Sequence, residues 1–187
     1  WGSKNVEFVR PVHRLVLLHG DKVIDAEVLG LSSAADTFGH RFHAPGKITL
    51  TNASEYKDRL LTEGFVIADF EQRKQKIKQQ VIDTVKRLGG EAVLDEDLLE
   101  EVTALNEWPI AVAGEFEEVF LEVPAEALIK TMQDNQKYFP VKQSASDDTL
   151  KNYFITISNI DSKSPEKVKA GNERVVLPRL ADAMFFW

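Results

Sequence analysis

The run from Asp69 to Leu88 constrains the fold more than any other part of the sequence, because it reads as one long amphipathic helix. Ile77, Val81, Val85 and Leu88 recur at spacings of four, four and three, which sets them on one face of a 3.6-residue helix. Asp69 stands where an N-cap belongs, and Gly89-Gly90 closes the run. Such a stripe must be buried, so a second layer has to lie against it.

The rest of the chain offers both strands and helices. Residues 12–18 and 23–29 predict a hairpin around His19-Gly20-Asp21-Lys22, residues 30–46 read as irregular, and 47–51 as a short strand. Asn52 is placed to cap a short helix ending near Glu63, with Gly64 just beyond it, and 65–68 predict a short buried strand. Asp95 or its neighbour opens a third helix with Leu98, Val102 and Leu105 inward and Glu96, Glu100 and Glu101 outward; Trp108-Pro109 ends it. Residues 110–113 and 119–123 read as strands about a turn at Gly114, and Pro124 suits the first position of a helix reaching Asp134-Asn135. A second strand pair is expected over 138–142 and 153–158, and a last helix from Gly171 or Asn172, in which Pro178 implies a kink or a late start. Hairpins and helices without regular strand–helix alternation predict an α+β fold, a mixed or antiparallel sheet packed by four to five helices in one domain over 1–187.

Charge and composition narrow the function classes. With 43% hydrophobic and 28% charged residues the chain suits a globular fold with a real core. No Cys is present, which removes disulfides, thiolate metal sites and thiol nucleophiles and favours a cytoplasmic location. No apolar run approaches the ~20 residues of a membrane span. Trp1-Gly2-Ser3 at one end and Met184-Phe185-Phe186-Trp187 at the other read as cuts within a longer protein. The net charge is −7, but residues 91–128 hold 12 Asp or Glu and no Lys or Arg, which leaves the remainder at +5. RNA contact is therefore expected away from 91–128.

Three segments have residues suited to nucleic acid. The loop Gly39-His40-Arg41-Phe42-His43-Ala44-Pro45-Gly46 combines three potential cations and an aromatic between glycines, and can hold a phosphate or stack a base; the alternative is that Phe42 plugs the core and Arg41 pairs with a carboxylate. In Gln136-Lys137-Tyr138-Phe139-Pro140, Lys137 can neutralise a phosphate beside a Tyr138 stacking face, or the aromatics can be core and edge packing. Arg73, Lys74, Lys76 and Lys78 form either a basic stripe or a solvated helix face. His13, His19, His40 and His43 crowd the first quarter, yet no third ligand has a recognisable metal-site spacing. Nucleophile elbows, phosphate-binding loops and dinucleotide fingerprints are all missing, and Glu100-Glu101 and Glu117-Glu118 are neighbours that do not face each other on a helix.

Four blocks in order carry a resemblance: Val9-Arg10-Pro11-Val12-His13; Gly39-His40-Arg41-Phe42; Gln136-Lys137-Tyr138-Phe139-Pro140; and Gly171-Asn172-Glu173-Arg174-Val175 with Pro178-Arg179-Leu180-Ala181-Asp182-Ala183 and Phe185-Phe186. Together they resemble the beta subunit of bacterial glycyl-tRNA synthetase of the tetrameric type. The pattern is also similar, more distantly, to the editing-type domain of the phenylalanyl-tRNA synthetase beta chain. The resemblance implies an enzyme of two alpha and two beta chains that joins glycine to tRNA(Gly), with ATP and Mg2+ used at the alpha subunit and no cofactor in this segment. Its partners would be the alpha subunit, tRNA(Gly) and other domains of the beta subunit, with no membrane. The segment is then expected to be a non-catalytic accessory, tRNA-recognition domain; an editing-like aminoacyl-tRNA hydrolase or an interaction module are the alternatives. Arg10, His13, His40, Arg41, Lys137 and Tyr138 are the expected tRNA contacts, and Arg174 and Arg179 are structural or binding residues.

Overall fold

The computed structural model describes residues 12–144 and 146–187, and the chain divides into two compact units, 1–68 and 69–187. Among the described residues of the first unit every strand is short. β1 (Leu15–Val16), β2 (Leu18–His19), β3 (Lys22–Val23), β4 (Glu27–Val28), β5 (Leu31–Ala34), β6 (Asp36–Phe38) and β7 (Lys47–Thr49) lead into α1 (Tyr56–Thr62). β2 and β3 form the hairpin expected around Gly20-Asp21, reduced to two residues a side. The flanking residues leave it: β1 runs parallel to β5, which pairs antiparallel with β4 on its other edge.

The stretch 30–46 is not irregular throughout, since it contains β5 and β6. Polar side chains hold these strands where apolar ones were missing from the pattern. Ser33 Oγ donates to the Ile24 carbonyl at 2.6 Å and accepts from the Ala26 N–H at 3.0 Å, while Asp36 accepts from Lys47 and Thr49 of the paired β7 at 3.0 and 2.7 Å. Asn52 does cap the next element, accepting from the Ser54 N–H at 3.0 Å, and one 3-10 turn (Ala53–Glu55) precedes α1. Residues 65–68 are not a strand: Phe65 takes φ 53° and is 38% exposed, so the left-handed residue is Phe65 and not Gly64. Ile48, Leu50 and Leu60 are the buried core of this unit, with Val16, Leu18, Val66 and Ala68 against them.

The second unit is a two-sided sandwich of helices about a sheet. α2 (Phe70–Arg87), β8 (Glu91–Ala92), α3 (Glu96–Leu105), β9 (Ile110–Glu115), α4 (Ala125–Lys130), β10 (Phe139–Ser144), β11 (Asp147–Ser158) and α5 (Pro165–Phe186) follow in order. The antiparallel sheet has the order β8-β10-β11-β9. The predicted cap holds, since Asp69 accepts from Gln72 N–H at 3.0 Å, and the third helix is opened by Asp95 itself, which accepts from Leu98 N–H at 2.8 Å. Ile77, Val81 and Val85 of α2 and Leu98, Leu99 and Val102 of α3 bury against Phe139, Val141 and Ile155, whereas Leu105 stays 43% exposed. The two-residue period of a strand sends Phe154 to the opposite face, where it packs with Phe116, Phe120, Leu128, Met132, Tyr138, Val176 and Leu180.

Residues 119–123 are a 3-10 segment (Glu118–Glu122) and not a strand, because Phe120 and Val123 have to enter this second core together. α4 is followed by a π-helical turn, Thr131–Asn135. α5 starts at Pro165, before the expected Gly171, and its 22 residues exceed the 18 of α2. It continues through Pro178, which supplies no N–H for the carbonyl four residues back.

Candidate nucleic-acid interface

The loop between β6 and β7 is a built structure. His40 is 2% exposed, and its Nδ1 accepts from the N–H groups of Phe42 and His43, each at 3.3 Å. Its own N–H donates to the Gly64 carbonyl at 2.6 Å and its carbonyl accepts from the Ala44 N–H at 2.8 Å. Gly39 lies so close to Gly64 that an added Cβ would stand 2.6 Å from the backbone oxygens of both Ala44 and Gly64. Only glycine fits there without moving backbone. His40 is thus the internal post of the loop, buried where an exposed tRNA contact was expected.

What the post holds outward is Arg41 and Phe42. Phe42 is 64% exposed, so it does not plug the core, and the Arg41 guanidinium carbon lies 4.9 Å from its ring centroid. His43 extends the cluster, 4.7 Å from the His40 ring and 5.4 Å from that of Phe65. Phe65 was not singled out in the sequence, since nothing local reveals that a residue 22 positions on from His43 meets it. Among the described residues no group of three or more His, Asp or Glu is arranged to hold a metal ion.

The other expected contacts scatter. Arg10 lies outside the described residues, and His13 is exposed. Lys137 pairs with Glu101 at 2.9 Å and, at φ 59°, is the left-handed residue of an αL cap: its N–H donates to the Gln133 carbonyl, and that of Tyr138 donates to the Met132 carbonyl. Tyr138 offers no stacking face. It is 4% exposed, lies on Phe154 at 4.6 Å and 10°, and donates its hydroxyl to Asn172 Oδ1 at 2.7 Å; burial raises its pKa. Arg174 and Arg179 are exposed, and Arg174 lines a groove of about 660 Å³ together with Glu115, Glu117, Glu118 and Glu173.

Three of the four cations in the basic run on α2 are engaged within the protein. Lys74 is buried between Glu96 and Glu100, 2.9 Å from the latter, and these carboxylates raise its pKa while Lys74 lowers that of Glu96. Arg73 donates to the Thr103 carbonyl at 3.0 Å and Lys76 lies 4.3 Å from the Trp108 ring; burial lowers both their pKa values. Charge divides by unit: residues 1–68 hold eight Lys or Arg and eight Asp or Glu, so the whole −7 belongs to 69–187.

Comparison with known proteins agrees along the full length. The family described as glycyl-tRNA synthetase beta subunit matches residues 1–187. Relatives named glycine–tRNA ligase beta subunit include those of Hahella chejuensis, 55% identical over 187 residues, Marinobacter nauticus, 52% over 188, and Klebsiella pneumoniae, 51% over 187. Each alignment covers 100% of this chain and 27% of the relative, so the chain spans about a quarter of their length.

Proposed function

Because the chain belongs to the glycyl-tRNA synthetase beta subunit family, we propose that it is a non-catalytic, tRNA-facing part of a cytoplasmic glycine–tRNA ligase. On this reading glycine is activated with ATP and Mg2+ on the alpha subunit, and this part helps position tRNA(Gly) for the transfer. The carrying observation is the Arg41–Phe42 pair, displayed by a loop whose interior is fixed by Gly39 and His40. It belongs to the unit without net charge, and the unit that carries −7 would repel phosphate. Among the described residues no helix is long and apolar enough to cross a membrane.

Phosphate contact has a distinct signature. Each neutralised phosphate contributes about one unit to the dependence of log affinity on log salt. Arg41→Ala in the assembled enzyme is expected to weaken tRNA(Gly) binding and flatten that slope by about one; an unchanged slope removes Arg41 from the interface.

One observation favours a second role for residues 69–187. The groove walled by Glu115, Glu117, Glu118 and Glu173 suits a basic surface of the alpha subunit or of another beta domain. Reversing Glu117 and Glu118 to Lys should slow subunit assembly at low salt, and unaltered assembly would discard this role.

A further inference from the structure

We infer that the Arg41–Phe42 loop is a stacking site for one unpaired nucleotide, with Phe42 as the platform and Arg41 serving the adjoining phosphate; the inference rests on the tRNA-facing reading above. The Phe42 ring is 64% exposed, which leaves apolar surface for a ligand to bury. Here the display is enforced: the N–H groups of Phe42 and His43 are both tied to the buried His40 ring, which fixes the backbone that presents the side chain. A preorganised aromatic loses little entropy when it binds.

The chemistry selects a nucleotide over an apolar peptide. The Arg41 guanidinium already lies over the Phe42 ring at 4.9 Å, so the exposed surface is a π-face joined to a cation, matching the base and phosphate of one nucleotide. His43 and Phe65, 5.4 Å apart, extend the aromatic surface beside it. A base paired within a helix has both faces occupied by its neighbours, so only an unpaired or extruded base can stack here.

Stacking and phosphate contact differ in their salt dependence, which separates this inference from the reading beneath it. With the assembled enzyme and a tRNA(Gly) transcript, Phe42→Leu is expected to raise Kd about ten-fold at every salt concentration without changing the slope, while Phe42→Trp binds as the native protein does. An unpaired base shielded from dimethyl sulfate by the native enzyme should become reactive with Phe42→Leu. Native affinity and unchanged shielding with Phe42→Leu, beside a flattened slope for Arg41→Ala, would overturn the stacking site and leave the phosphate contact standing. Native tRNA binding by both variants, with weakened subunit association, would make the loop a protein contact and overturn both. Phe42 is outside the core, so thermal unfolding of the variants should match the native protein and exclude misfolding as the cause.

Discussion

Gly114 of β9 and Phe154 of β11 face each other across the sheet, and the Phe154 ring fills the space that a side chain on Gly114 would need. Phe154 is fully buried and is itself covered by Tyr138, so the ring cannot swing away. Gly114→Ala should therefore cost about 1–3 kcal/mol, the usual effect of overpacking a dense core. Chemical denaturation followed by circular dichroism would measure it, and native stability would mean that the ring has room to move.

Gly39→Ala should act on the candidate site from beneath. The new methyl group would meet the backbone of Ala44 and Gly64, which a rotamer change cannot relieve. Hydrogen exchange at the Phe42 and His43 amides, both bonded to His40 Nδ1, should accelerate, and tRNA binding should weaken although no contacting side chain is altered.

Lys137→Gly tests whether that residue is there for backbone or for charge. Lys137 holds a left-handed conformation at a helix end, where glycine is favoured by roughly 1 kcal/mol, and the partly exposed Glu101 pair offsets only a fraction of that. Stability should hold or rise, and the tRNA salt slope should not change. A flattened slope would return Lys137 to the interface.

The Lys74–Glu96–Glu100 clasp between α2 and α3 should give stability a defined pH window. Lys74 keeps Glu96 below its ordinary carboxylate value, so this contribution is present above about 4.5 and is lost as pH falls through the depressed folded value. Lys74 is raised, chiefly by Glu96 and then Glu100, so its contribution is present below about 10.5 and is lost as pH climbs through the folded value. Melting temperatures across pH should show both limbs, and Lys74→Met should flatten them; parallel profiles would mean that the clasp contributes nothing.

Local rules account for what was legible in the sequence. Asp69 and Asp95 cap the helices expected of them, because a cap needs only its own side chain and an N–H three residues on. The stripe Ile77, Val81, Val85 is buried because periodicity alone specifies a face. Residues 119–123 misled because Val, Phe and Leu read the same whether a strand or a 3-10 turn delivers Phe120 and Val123 to the core. Strands β5 and β6 were missed because Ser33 and Asp36, residues typical of turns, form hydrogen bonds to partners seven to thirteen positions away.

The sequence by itself determined the family, the α+β class and the identity of the loop bearing Arg41 and Phe42, since each is expressed in contiguous residues. Only the tertiary structure decided that His40 and Tyr138 face inward, that Lys74 is buried between two glutamates, and that Phe42 faces solvent. A side chain's direction depends on partners distant in the chain, such as Gly64 for His40, Glu100 for Lys74 and Asn172 for Tyr138, and no local pattern encodes those meetings.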